Sequence, residues 1–122
     1  MRVLLSIKPE FAERIFDGSK RYEFRRAIFK NPDIKIVVVY ASSPVQLVIG
    51  EFEIETILSD APENLWEKTQ EFSGISEEFF FNYFSERTVG FAIKVKKARR
   101  YQRPRCLRKS YNVSPPQSFC YV

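Results

Sequence analysis

Gly18-Ser19-Lys20-Arg21-Tyr22-Glu23-Phe24-Arg25-Arg26 is the stretch on which the fold turns. A helical pattern runs into it: Pro9 suits a first turn, and Phe11, Ala12, Ile15 and Phe16 share one face. Asp17-Gly18 closes that helix, with Gly18 in the left-handed cap position. Beyond the glycine the pattern changes from helical to alternating. In an extended strand, side chains two apart share a face. Arg21, Glu23 and Arg25 therefore line one side, and Tyr22 and Phe24 the other. A carboxylate between two guanidiniums is costly near a core unless its members pair or hold a polar ligand. The row is either a solvated strand face of cross-pairing charges or the floor of a site.

Working outward, Arg2 to Ile7 reads as a short buried strand. Asn31-Pro32-Asp33 is a turn, and Ile34 to Tyr40 is too apolar for a half-exposed strand, which implies a central strand covered on both faces. After Ala41-Ser42-Ser43-Pro44, a strand pattern runs from Val45 to Leu58. Gly50 marks a bulge or barrel corner there, and Glu51, Glu53 and Glu55 form a wet face. Asp60-Ala61-Pro62-Glu63 opens a helix in the manner of a capping box; it carries Leu65 and Trp66 and breaks at Ser73-Gly74. Ser76 caps a second helix, whose Phe79, Phe80, Tyr83 and Phe84 read as core. Thr88 to Val95 is a strand with Val89, Phe91, Ile93 and Val95 inward, while Gly90 and Ala92 leave room on its other face. A short strand follows Ser114-Pro115-Pro116-Gln117. The order β-α-β-β-β-α-α-β-β predicts one α+β domain over residues 1–122, a small curved sheet or barrel with helices at its ends.

Composition narrows the class. With 44% hydrophobic residues, 16% aromatics and 12 phenylalanines, the 122-residue chain can bury one sizeable core built largely from rings. No apolar run approaches a membrane span, the first residues are too short for a signal peptide, and Cys106 and Cys120 are too few for a disulfide framework. A cytoplasmic protein with free thiols is expected, with Cys106, between Arg105 and Arg108, the one candidate for a reactive thiol. The absence of histidine excludes a His-based metal site and leaves acid–base chemistry to Lys, Tyr, Cys or carboxylates. No cofactor and no structural metal are expected.

The net charge of +5 hides an asymmetry. Residues 1–86 hold 10 Lys and Arg against all 15 Asp and Glu, whereas residues 87–122 hold 10 basic residues and no acid. Nine of those ten fall between Lys94 and Lys109, with Tyr101 the only aromatic among them. Such a stretch either neutralises the acidic part of the chain or meets a polyanion. In the second case Lys94, Lys96, Lys97, Arg99, Arg100, Arg103 and Arg105 would contact phosphates, and Tyr101 or Tyr111 would stack on an unpaired base.

Gly18-x-Lys20-x-x-Glu23-x-Arg25 resembles the GxKxxExR signature of the ASCH domain, the activating-signal-cointegrator homology family of the PUA-like superfamily. Ser6-Ile7-Lys8-Pro9-Glu10, Tyr40-Ala41-Ser42-Ser43-Pro44 and Pro116-Gln117-Ser118-Phe119-Cys120-Tyr121 are similar to the flanks of its small prokaryotic and phage members. The resemblance implies a mixed five- or six-stranded β-barrel, short helices, a cleft beside the first helix, and RNA or modified nucleotides as ligands. It places Gly18, Lys20, Glu23 and Arg25 in that cleft. Lys20 and Arg25 suit a phosphate or carbonyl, and Glu23 suits an exocyclic amino group. Ser42 and Ser43 either add hydroxyl contacts or simply form a turn.

Two enzymatic branches of the family offer alternatives. One resembles amidohydrolases of N4-acetylcytidine, which use a Lys, a Thr where this chain has Glu23, and a Glu from the helical region; Ser73 falls near that last position, with Glu71 close by. The other resembles ribonucleases, for which Lys20, Tyr40 and Ser42 would serve. A third alternative, an adaptor in transcription regulation, fits the family name without a particular residue behind it.

Overall fold

The computed structural model describes residues 1–122 throughout. The strands are β1 (Val3–Ile7), β2 (Tyr22–Arg25), β3 (Ile36–Ala41), β4 (Leu47–Asp60), β5 (Gly90–Arg105) and β6 (Phe119–Tyr121), and the helices are α1 (Pro9–Asp17), α2 (Pro62–Thr69), α3 (Glu77–Tyr83) and α4 (Leu107–Tyr111). They form a single sheet in the order β2-β5-β4-β3-β1-β6, with β1 and β3 parallel and every other pair antiparallel. The sheet curls into a half-barrel with short helices around it. No backbone ladder joins its end strands, β2 and β6, so the barrel has a seam.

Three apolar clusters hold this arrangement. Val37 and Val39 of β3 face inward with Val3, Leu5, Phe52 and Ile93, against Ala12 and Ile15 of α1. Val38 and Tyr40 face outward with Leu4, Val48, Tyr101 and Leu107. The central strand is thus covered on both faces, as its unbroken apolar run requires. At the far end, Tyr22, Phe24 and Ala92 pack on Leu65 of α2, on Phe80 of α3 and on Phe84, which caps the end of α3. Full burial of a side chain such as Leu65 or Phe80 contributes about 1.5–3 kcal/mol.

Gly50 sits at a register shift between β4 and β5, where a Cβ would strike Phe16 and the Arg99 carbonyl. A side chain at Gly90 would meet the Phe84 ring, so this glycine lets α3 approach the sheet. The Ser76 hydroxyl accepts from the Phe79 amide, as the cap reading requires.

Several expectations change. The strand expected over Thr88–Val95 is β5, which runs on to Arg105, so the basic stretch is mostly strand rather than strand end and loop. Its Lys and Arg residues and Pro104 mask the alternation, and pairing with β4 supplies the order. Val89 precedes that strand and is exposed. The strand expected from Val45 to Leu58 begins at Leu47 and ends at Asp60. α2 starts without a capping box: Asp60 instead accepts from the Ala61 amide and pairs with Lys68, which holds its carboxyl at about 2. Helix α4 was not foreseen; it follows β5 and ends at Asn112 in the left-handed region. No helix is long and apolar enough to cross a membrane.

Candidate functional site

The seam opens into a cleft of about 640 Å³, bounded by the end of β1, by α1, β2 and α3, and by the segment leading into β6. Gly18, at φ +88°, ends α1 and turns the chain. The Ser19 amide then bonds to the Asp17 carboxylate, and the Lys20 amide donates to the Arg14 carbonyl. This local geometry sends the Lys20 side chain inward, where it is 2% exposed.

Lys20 Nζ donates to the Ser73 carbonyl at 2.8 Å and lies 4.7 Å from the ring centre of Phe24 and 5.4 Å from that of Phe11. Burial strips its hydration and lowers its pKa to about 8, with Arg14 acting in the same direction and Glu23 opposing. Gly74, at φ +67°, makes room for the lysine stem, because a Cβ there would collide with Lys20 Cβ and Cγ. Arg14 fixes the same turn by donating to the Gly74 carbonyl at 2.7 Å.

Glu23 and Arg25 are neighbours on one face of β2, as alternation requires. Arg25 Nη1 donates to Glu23 Oε2 at 3.1 Å and to the Ser6 carbonyl at 3.3 Å, while Nη2 donates to the Ser118 carbonyl at 2.7 Å. One guanidinium thus bridges β2, β1 and the segment before β6, closing by side chain the seam that no ladder closes. Ser6 reinforces it by donating to the Pro116 carbonyl. Glu23 Oε1 accepts nothing from the protein and faces the cleft.

The walls are aromatic. Phe11 and Phe79 meet edge to face at 5.2 Å, and Phe79 and Tyr83 lie nearly parallel. Burial raises the Tyr83 pKa, so its phenol stays protonated. Lys8 Nζ sits 5.2 Å from the Phe79 ring centre, and the Arg26 guanidinium lies 4.4 Å from that of Tyr83 while donating to the Tyr83 carbonyl. Asn82 and Gln117 add amides. The α3 rings therefore divide: Phe80 and Phe84 are core, whereas Phe79 and Tyr83 line the cleft. The helix is aromatic on two faces, which is a sequence signal that one face covers something other than the core.

Of the residues expected in the cleft, Lys20, Glu23 and Arg25 converge there, and Gly18 shapes it without lining it. Ser42 and Ser43 lie in the β3–β4 turn, apart from the cleft, where the Ser42 amide bonds to the Ile7 carbonyl. Tyr40 is buried in the outer cluster, so Tyr40 and Ser42 do not meet Lys20 in the cleft. Glu71 and Ser73 also lie off its lining. Arg21 precedes β2 and stacks on Phe72 at 4.7 Å, so it does not join the row of Glu23 and Arg25.

The basic stretch forms a separate surface. Its register lays Arg99 opposite Glu51 and Lys97 opposite Glu53 on β4. Arg99 pairs with Glu51 at 3.2 Å, Lys94 with Glu55 at 2.9 Å, and Arg100 with Glu13. Tyr101 is buried, donates to Glu51 at 2.7 Å and supports the Arg105 guanidinium at 3.9 Å from its ring centre. Arg103, Arg105 and Lys109 border a shallow groove beside it. Lys96 and Lys97 are exposed. Cys106 is exposed, with its pKa lowered by the Lys109 and Arg108 amides, while burial raises that of Cys120.

The pattern of the ASCH domain matches residues 5–104. A Ureaplasma parvum protein named ATP synthase subunit alpha is 32% identical over 122 residues, covering 98% of this chain and 15% of that protein. The ASCH domain-containing ribonuclease of Zymomonas mobilis is 32% identical over 93 residues, covering 75% of this chain and 63% of the relative. In both cases this chain spans less than two thirds of the relative's length. The crystal structure of ASCH from Zymomonas mobilis superposes with a TM-score of 0.90 at 30% identity, covering 99% of this chain and 87% of that one.

Proposed function

The chain belongs to the ASCH domain family, and from that premise and the cleft geometry we propose that it binds single-stranded RNA or a nucleotide, holding one base in the cleft. The observation that carries this reading is that one aromatic cleft is lined both by Glu23, whose Oε1 is an acceptor free of protein partners, and by the buried Lys20 amine. Phe11, Phe79 and Tyr83 offer ring surface to a base. The carboxylate accepts from an exocyclic amino group, and the amine donates to a ring nitrogen or carbonyl. Arg26 and Lys8 at the mouth suit the attached phosphate. The free cations of β5, Lys96, Lys97 and Arg103, take further backbone phosphates.

Hydrolysis is the second reading, favoured by the Lys20 pKa of about 8 and by the ribonuclease name of one relative. An amine that is partly neutral near physiological pH is suited to act as a general base. The hydroxyls lining the cleft are those of Ser6, Tyr83 and Ser118, so these stand where Tyr40 and Ser42 were expected to serve.

The test is ligand-dependent thermal stabilisation with ribonucleotides and a single-stranded oligoribonucleotide. Lys20→Ala is expected to abolish it, and Glu23→Gln to weaken binding about 10- to 150-fold, the loss of one charge-assisted bond of roughly 1.5–3 kcal/mol. Glu53→Gln, on the exposed face of β4, is the matched control. Incubation with RNA and with N4-acetylcytidine, followed by chromatography, separates the readings: turnover that Lys20→Ala removes establishes the enzyme. Equal stabilisation of the Lys20→Ala variant overturns the cleft as the binding site.

A further inference from the structure

Lys20 carries a combination that base recognition does not require. Its ammonium is enclosed by the rings of Phe11 and Phe24, its hydrogen-bond acceptor is a neutral carbonyl, and it has no carboxylate within ion-pair distance, because Glu23 is paired with Arg25. A cation so placed loses more in hydration than the unpaired approach of Glu23 returns, which favours the neutral amine. A desolvated lysine amine beside an open cleft is a nucleophile toward carbonyl carbon. The same cleft has cations at its mouth suited to a phosphate ester, Arg26 on Tyr83 and Lys8 on Phe79. Its volume of about 640 Å³ accommodates a sugar phosphate or a nucleotide.

We propose that Lys20 forms a reversible imine with a phosphorylated ligand bearing a free aldehyde, either a sugar phosphate or an abasic position in a single-stranded nucleic acid. This rests on the cleft being the binding site, as proposed above. The Nζ lone pair forms a bond to the aldehyde carbon while the carbonyl oxygen takes up a proton, giving a carbinolamine. Nζ then releases a proton, the hydroxyl leaves as water after protonation to give the iminium, and loss of the remaining Nζ proton gives the imine, with Glu23 Oε1 as the cleft's carboxylate for shuttling these protons. One amine and one aldehyde become one imine and one water without change of oxidation state, and hydrolysis reverses the step.

Borohydride reduction converts such an imine into a stable secondary amine, which makes the step measurable. The full chain is treated with borohydride in the presence of a single-stranded oligodeoxynucleotide carrying one abasic site or, separately, of ribose 5-phosphate. The expected result is one adduct per chain, mapped to Lys20 by peptide mass spectrometry and formed about tenfold faster than at any of the eight other lysines. Its rate should rise with pH through about 8 as the amine loses its proton. Lys20→Arg, which keeps the charge, should give no such adduct while melting cooperatively. A faster reaction with the oligonucleotide assigns the ligand to nucleic acid, and a faster reaction with the sugar assigns it to free sugar phosphates. Absence of adduct with both probes overturns the proposal, as do adducts spread over surface lysines and unchanged in Lys20→Arg. If trapping fails while an intact oligonucleotide still stabilises the protein through Lys20, the imine falls and the binding reading stands.

Discussion

The cleft and the outer surface of β5 both gather cations beside aromatic rings, yet the two handle charge in opposite ways. On β5, Lys94, Arg99 and Arg100 meet Glu55, Glu51 and Glu13, so much of the charge that looks excessive in the sequence is neutralised by neighbouring elements. In the cleft, Lys8, Lys20 and Arg26 have aromatic faces and backbone carbonyls for neighbours and no carboxylate within ion-pair distance. Density of charge along a chain therefore says little about where charge remains available. Availability depends on which acidic strand the fold lays alongside.

The widest expected gap between the two regions is in ion pairing. Glu23 and Arg25 are about one tenth exposed, so Arg25→Met leaves a buried carboxylate without its partner and loosens the seam at Ser6 and Ser118. A loss of about 3–5 kcal/mol is expected in urea unfolding. Arg99→Met, at an exposed pair on β5, should cost about 0–1 kcal/mol. Comparable losses in the two variants would erase the distinction. Adding Glu23→Gln to Arg25→Met should restore part of the loss, since it removes the stranded charge.

A somewhat smaller effect is expected from pH. The folded pKa of Lys20, about 8, lies below the ordinary 10.5, so between these values the unfolded chain holds a proton that the folded chain lacks. Stability contributed by this group therefore rises with pH across that window, and the cost of burying the charge is felt fully below about pH 8. The gap corresponds to roughly 3 kcal/mol. Relative to Lys20→Met, which does not titrate, the unmodified protein should gain most of that amount between pH 7 and pH 10, read from urea midpoints. A constant difference across that range would place the amine in water.

The smallest expected effect separates cations within β5. For single-stranded RNA, each phosphate contact contributes about −0.7 to the slope of log affinity against log salt. Neutralising Lys96, Lys97 and Arg103 together should flatten the slope by about 2. Neutralising Arg99, Arg100 and Arg103 should flatten it less, because the first two are paired within the protein. Equal changes would mean that the internal pairs open on binding.

These contrasts also mark what the chain discloses before folding. Gly18 as a helix cap, the shared face of Glu23 and Arg25, the two-sided burial of β3 and the bulge at Gly50 all follow from local periodicity or from the steric freedom of one residue. The length of β5 did not follow, because its order comes from pairing with β4 against a composition rich in charge. The cleft was half legible. Lys20 and Glu23 come from the motif, and Tyr83 belongs to the second aromatic face of α3, but Arg26 and Asn82 reach the cleft through tertiary packing that no spacing encodes. Ser6, Lys8, Gln117 and Ser118 were visible only as flanking similarity, and they proved to be cleft residues at the two sides of the seam.

The clamp across that seam has a consequence for how the protein is made. Arg25 and Ser118 are 93 residues apart, and Ser6 and Pro116 are 110 apart. Synthesis delivers the lysine and the carboxylate of the cleft first, and Ser118, in the wall that encloses them, emerges 93 residues after Arg25. Contacts of such long range form slowly, since the chain must first close large loops. On the ribosome, the half-finished domain therefore carries Lys20 and Glu23 without their enclosure, and the cleft is completed only when residue 118 has cleared the exit tunnel and docked.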